Sequence, residues 1–382
     1  TMTLTWQFDA FFWMTLSIGA LEGVRVVRSE LARQRRSLRA ALGLGAVEIT
    51  LLGVVAATGS PWLFALLSSA RSTVVFTREG GAWLRGVTRA LAVTGAMVSL
   101  AVVGHVQSFA EVLSADLSAT WRLLIVGALC LACVAAIAPV RLVDEPKETL
   151  AAPLVLTAFA RVALPLSGSM PGLDLVVPVV AAVLALVCAL WLLSAGMRAN
   201  HFEPATLVSE LVLCERGVLL SFVWMGLSTH DTQHLAGVGS LMAWWSAALA
   251  LIALESSLRR RPLPKSKAFF SLAMVVGLPG TAGFVGEDLM AQGLLELRPA
   301  LAAAFVVVSA INAAALYLAL VNVIVDLGPS SEPEARPSPM MLAAAAISLI
   351  MGLVPQPFVS VAVHAYAAVA QTGTSAQAAS ER

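Results

Sequence analysis

The chain has 382 residues, of which 59% are hydrophobic and only 12% are charged, and its formal net charge is +1. A soluble globular domain averages about 25% charged residues, so this composition, with a mean hydropathy of +0.86, excludes that class and places the chain in a bilayer. The balanced charge gives no basic footprint for nucleic acid.

The long apolar runs lack the alternation of barrel strands and read as helices. In chain order the expected spans are 8–27, 40–58, 61–76, 88–106, 123–140, 150–166, 173–193, 207–227, 235–254, 268–295, 301–325 and 340–361. The fold class is therefore an all-α polytopic membrane protein with about 10–12 transmembrane helices. Residues 1–370 read as a single transmembrane helical domain and 371–382 as a flexible C-terminal tail. No cleavable signal peptide is expected at the start, because Thr1–Ala10 has no basic residue and Glu22 and Arg25 interrupt the apolar run that follows.

Loop charge orients the spans. Loop 28–39 holds Arg28, Arg33, Arg35, Arg36 and Arg39, loop 71–89 holds Arg71, Arg78, Arg85 and Arg89, and loop 257–267 holds Arg259, Arg260, Arg261, Lys265 and Lys267. Loops 107–120 and 228–234 contain no Lys or Arg. If 61–76 crosses the membrane, all three basic loops share one face, which the positive-inside rule makes cytoplasmic. If that short, Arg71-containing segment is re-entrant, one basic loop falls on the opposite face. The expected location is a prokaryotic cytoplasmic (inner) membrane.

Ionisable residues at membrane depth are functional candidates by default. Here they are Glu48 in "LGAVEITLLGV", Arg161 in "LTAFARVALPL", Glu210, Glu215 and Arg216 in "LVSELVLCERGVLLSF", and Glu287 and Asp288 after "GLPGTAGFVG". Arg161, Glu215 and Arg216 also fit structural pairing with neighbouring helices, and Glu48 has no charged neighbour within a helical turn. Cys130 and Cys133 form a C-x-x-C inside an apolar helix and read as packing residues. His230 and His234 stand four apart, but in a short loop. No metal set, iron–sulfur cysteine pattern or nucleotide loop is present, so no cofactor, metal or catalytic residue is assigned, and any redox chemistry belongs to partners.

The segment "SLAMVVGLPGTAGFVGEDLM" (271–290) begins as a span and then breaks at Gly277, Pro279 and Gly280, with Gly283 and Gly286 following. Broken helices at membrane depth occur where backbone is enclosed by protein or lines a wet cavity. Their free ends and dipoles make ion or proton sites. Glu287 lies just past this one.

"GLPGTAGFVGE" resembles the signature of the antiporter-like membrane subunits of respiratory complex I, of membrane-bound hydrogenases and of multisubunit sodium/proton antiporters, and is most similar to the M-type (ND4-like) subunit. "GLVPQPFVSV" (352–361), "PVRLVDEPKETLAAP" (139–153) and "GAVEITLL" around Glu48 are weaker matches. The resemblance implies an antiporter-like fold lacking some N-terminal helices. Glu287 takes the place of the ionisable residue of the second broken helix, and Glu48 that of a glutamate that pairs with a central lysine. The lysine and histidine expected in "LMAWWSAALALIAL" are replaced, with Trp244 and Ala248 in their places. The expected function is that of a membrane subunit contributing to or scaffolding proton or cation translocation in a complex I-related assembly, a class that includes proton-translocating oxidoreductases, with other membrane subunits and the lipid bilayer as partners. The alternatives are a non-conducting scaffold and a membrane subunit of an inorganic-carbon uptake system.

Overall fold

The computed structural model describes residues 9–32, 38–76, 83–112, 114–138, 151–168, 170, 172–198, 204–229, 235–258, 265–326 and 339–370. In chain order the helices are α1 (Ala10–Ala32), α2 (Leu38–Ala57), α3 (Pro61–Phe76), α4 (Trp83–Val103), α5 (Ala119–Ile137), α6 (Ala151–Ala158), α7 (Leu164–Gly168) and α8 (Leu173–Met197). They continue as α9 (Pro204–Leu227), α10 (Leu235–Leu258), α11 (Lys265–Val275), α12 (Ala282–Leu297), α13 (Pro299–Asp326), α14 (Pro339–Leu353) and α15 (Gln356–Ala370). A helix covers the body of every span expected from the sequence. Pro61, Pro204, Pro299 and Pro339 each stand at a first helical position, where the missing N–H has no intrahelical partner to lose.

Among the described residues, four helices are each long and apolar enough to cross a membrane: Ala119–Ile137, Leu173–Met197, Leu235–Ser256 and Pro299–Asn322. The pair Pro339–Leu353 and Gln356–Val369 makes a fifth span if counted as one. The other helices are shorter, carry more charge or run partly outside the described residues. The protein is an integral membrane protein. Its outward apolar side chains agree with that: Val176, Val179, Val183, Val187 and Leu190 run exposed along α8, a stripe that lipid solvates and water does not.

The chain forms two compact units, where the sequence reading treats 1–370 as one domain. The first comprises residues 1–137, 142–176 and 361–382. In it α1 pairs with α2, α3 with α4, and α4 with α5. A π-helical turn, Phe159–Ala163, joins α6 to α7. The second unit comprises 138–141 and 177–360. Its centre is α10, apolar all round and packed on α9, α11, α12 and α14, as a helix without a polar face must be.

The contact between α10 and α12 is nearly backbone to backbone. A Cβ placed on Gly286 would stand 2.6 Å from the Ala243 nitrogen, and one on Gly239 would stand 2.5 Å from the Met290 nitrogen. A Cβ on Gly293 would collide with Ala236. Small residues at such crossings let membrane helices gain close packing where no hydrophobic force drives association. The side chains of the basic loops 28–39 and 257–267, the tail 371–382, and His230 and His234 lie outside the described residues.

Candidate functional site

The site is built in the second unit, around the end of α11. Gly277 adopts a φ of +67° and Gly280 a φ of +94°, conformations that L side chains resist. The Leu278 N–H donates back to the Ala273 carbonyl at 3.0 Å, the six-to-one bond of a Schellman helix end, with glycine in its left-handed position. Pro279 follows and cannot continue the helix. Thr281 is extended, with φ −100° and ψ 158°, and α12 starts at Ala282.

The break is sealed from the side of α14. The Ala282 N–H donates to Ser348 Oγ at 3.3 Å, which satisfies one of the free donors of the new helix. A Cβ on Gly352 would collide with the Gly280 carbonyl. The "GLVPQP" segment, one of the weaker matches in the sequence, is therefore the packing partner of "GLPGTAG".

Glu287 stands on the second turn of α12 and is half-buried. Its carboxylate lies where a side chain on Gly277 would be: a Cβ built there meets the two oxygens at 3.1 and 3.2 Å. Gly277 is thus required twice, for its backbone conformation and for the space the carboxylate fills. A small cavity adjoins this group, lined among others by Leu219, Phe222, Ser246, Val275, Gly283 and Glu287. The volume open to the centre of a water molecule is about 10 Å³, room for roughly one water. The Ser246 hydroxyl lies against Gly283, 2.9 Å from where its Cβ would be.

Glu215, on α9, lies within electrostatic range of Glu287. It is completely buried, and Asn312 Nδ2 of α13 donates to its Oε1 at 2.9 Å. Phe222 and Phe305 pack edge to face at 4.7 Å and tie α9 to α13 near this pair. The structure thus brings together Glu215 and Glu287 among the sequence candidates, with Gly277 against the Glu287 carboxylate and Gly283 lining the same cavity, while Gly280 and Gly286 serve the helix break and the α10–α12 contact.

The remaining candidates divide. Arg216 is buried beside Glu215 in sequence, and Glu210 is half-buried nearer the start of α9. Asp288 is exposed and accepts a hydrogen bond from Gln292 Nε2 at 2.8 Å, so it belongs to the outer face of α12. Arg161 lies in the first unit, on the π-turn. Its Nη1 donates to the Thr58 carbonyl at 2.9 Å, its Nη2 is 3.5 Å from Asp9 Oδ1, and its guanidinium stands 5.8 Å from the centre of the Phe109 ring. Glu48 lies on α2 of the first unit, and its side chain is outside the described residues.

Sequence reasoning missed Asn312 and Ser246. Only ionisable residues were sought inside spans, and both of these are neutral. "SAINAAAL" carries the signal nonetheless: an asparagine in the middle of an apolar helix needs a buried partner.

No protein-family model matches the chain, and no curated protein matches it. Solved structures do. A chain of the Mrp complex from Dietzia sp. DQ12-45-1b aligns with a TM-score of 0.67 at 15% identity, over 97% of this chain and 85% of that one. A chain of respiratory complex I from Thermus thermophilus aligns with a TM-score of 0.69 at 17% identity, over 96% and 85%. A chain of the archaeal membrane-bound sulfane sulfur reductase aligns with a TM-score of 0.62 at 13% identity, over 87% and 77%. The chain therefore has the all-α fold of antiporter-like membrane subunits.

Proposed function

We propose that the chain is a membrane subunit of a complex I-related ion-translocating assembly, and that its second unit holds the ion-handling groups, Glu287 and Glu215. One observation carries this reading: a helix broken inside the unit with a carboxylate lodged at the break, beside a second, fully buried carboxylate. Burying two acidic groups without need is unfavourable, and intramembrane acids of this kind mark proton or cation paths. The fold shared with chains of the Mrp complex and complex I supports the assembly. The glycine–proline motif supports the M-type position within it. The loop charge bias supports a prokaryotic cytoplasmic membrane with loops 28–39 and 257–267 on the cytoplasmic side.

A scaffold that moves no ion is the second reading, and one feature favours it. Trp244 and Ala248, in the places of the expected histidine and lysine, are both 2% exposed. No ionisable residue occurs in α10 from Leu235 to Leu254.

The test is Glu287→Gln in the assembly purified from membranes and reconstituted in proteoliposomes, with subunit content verified. The ion-handling reading expects coupled translocation to fall while assembly persists, and to fall further than in Glu48→Gln. Wild-type pumping by a fully assembled Glu287→Gln complex sinks it in favour of the scaffold.

A further inference from the structure

Glu215 is 0% exposed and Asn312 is 4% exposed. One hydrogen bond, from Asn312 Nδ2 to Glu215 Oε1, joins them. The other two oxygens of the pair, Glu215 Oε2 and Asn312 Oδ1, have no hydrogen-bond partner among the described residues. Both are acceptors when Glu215 is ionised, and a buried acceptor left without a donor is unfavourable. Reversing the amide does not help, because it would set Oδ1 against the carboxylate and lose the one bond present.

A single hydrogen atom on Oε2, shared with Asn312 Oδ1, would remove both defects. A carboxylic acid and a primary amide are complementary: the amide N–H donates to one acid oxygen while the acid O–H donates to the amide oxygen. The two atoms left open are the ones that this second bond would join. Glu287 from α12 adds a neighbouring carboxylate, and two carboxylates in a low dielectric do not both ionise easily. Cys188 from α8 and Cys214 from α9 are the nearby thiols. Asn312 from α13 is neutral. Arg216 and Glu210 lie on the same helix as Glu215, one residue after it and five before. Calcium and magnesium take six or more oxygen ligands, and this pair leaves two oxygens open, so the sodium arm of the test below decides between a proton and sodium.

We infer that Glu215 carries a proton held by Asn312 as an acid–amide pair, which makes this a proton site rather than a sodium site. As a statement about the translocated ion, this rests on the reading of the second unit as ion-handling. The occupancy of Glu215 does not.

The test is infrared difference spectroscopy of the assembly purified from native membranes, at neutral pH, in H2O and D2O. Expected is a protonated-carboxyl C=O band that shifts in D2O, disappears in Glu215→Gln, and moves to higher frequency in Asn312→Leu as its hydrogen bond is lost. Glu215→Gln should assemble, because its amide N–H supplies the donor that the acid O–H provides. If Asn312→Leu fails to assemble, wild type and Glu215→Gln alone decide. Absence of the band at neutral pH, or its persistence in Glu215→Gln, overturns the inference. Loss of the band on replacing choline chloride by sodium chloride at constant ionic strength also overturns it, because sodium then displaces the proton. The band present in a complex that does not pump leaves the proton assignment standing and defeats the functional reading instead.

Discussion

In the first unit, Arg161 enters the core on a π-turn between α6 and α7, and in the second, Glu287 lies beside a complete break between α11 and α12. The π-turn keeps the helix continuous and supplies one extra residue, which aims the guanidinium at the Thr58 carbonyl, Asp9 and the Phe109 ring. Asp9 balances its charge, while Nε and Nη2 have no hydrogen-bond partner among the described residues. The break discards a turn of hydrogen bonds, requires two glycines in left-handed conformations and a seal from α14, and brings a carboxylate against a cavity the size of a water molecule. Ser246 lines the same cavity, and Glu215 lies within electrostatic range. A buried charge with matched partners stabilises one arrangement, whereas buried acids with neutral partners remain able to change protonation. The proposed function follows this contrast: in it the first unit holds structure and the second handles ions.

The largest effect that could break the contrast is on stability, and it belongs to Arg161. Replacing one member of a buried ion pair costs about 3–5 kcal/mol, since the other member is left unpaired. Asp9 is 18% exposed, so water relieves part of this. Arg161→Met is expected to lower the yield and thermal stability of the assembly, read by subunit content after detergent extraction. An unchanged melting profile would show that the network contributes nothing.

The next effect concerns packing. Gly286→Val places a side chain on the backbone of Ala243, and overpacking typically costs about 1–3 kcal/mol where neighbours can shift. Backbone cannot shift as a side chain does, so the loss is expected at or above the upper end of that range. Gly127→Ala in α5 is the control: nothing lies within 4 Å of a Cβ there. Equal thermal shifts for the two variants would contradict the close α10–α12 contact.

The smallest effect is that of Asp288→Asn. This side chain is exposed and bonded only to Gln292 among the partners described, and surface changes usually stay within about 0.5 kcal/mol. Pumping and stability are both expected at wild-type level. A deep loss of pumping would move the pathway to the outer face of α12.

Much of the fold was legible because apolar run length sets helix position in a bilayer. The break was legible because glycine and proline impose it locally: "GLPG" specifies a left-handed helix end whatever surrounds it. The partners were not legible. Thr58 is 103 residues from Arg161, and Asn312 is 97 residues from Glu215, and no local pattern encodes such pairs. The "GLVPQP" motif was visible, but not that its Gly352 packs on Gly280, since that contact is between backbones and requires only the absence of a side chain. Asp288 follows Glu287 in the sequence but faces outward, since successive residues on a helix point about 100° apart.

The most direct test of the contrast is the rate of ion translocation per assembled complex, measured in the same proteoliposome preparation for Arg161→Met and Glu287→Gln. Arg161→Met should yield fewer complexes that each pump at the wild-type rate, while Glu287→Gln should yield a normal number that pump slowly or not at all. Normal pumping per complex in Glu287→Gln together with abolished pumping per complex in Arg161→Met would place ion handling in the first unit and contradict this assignment.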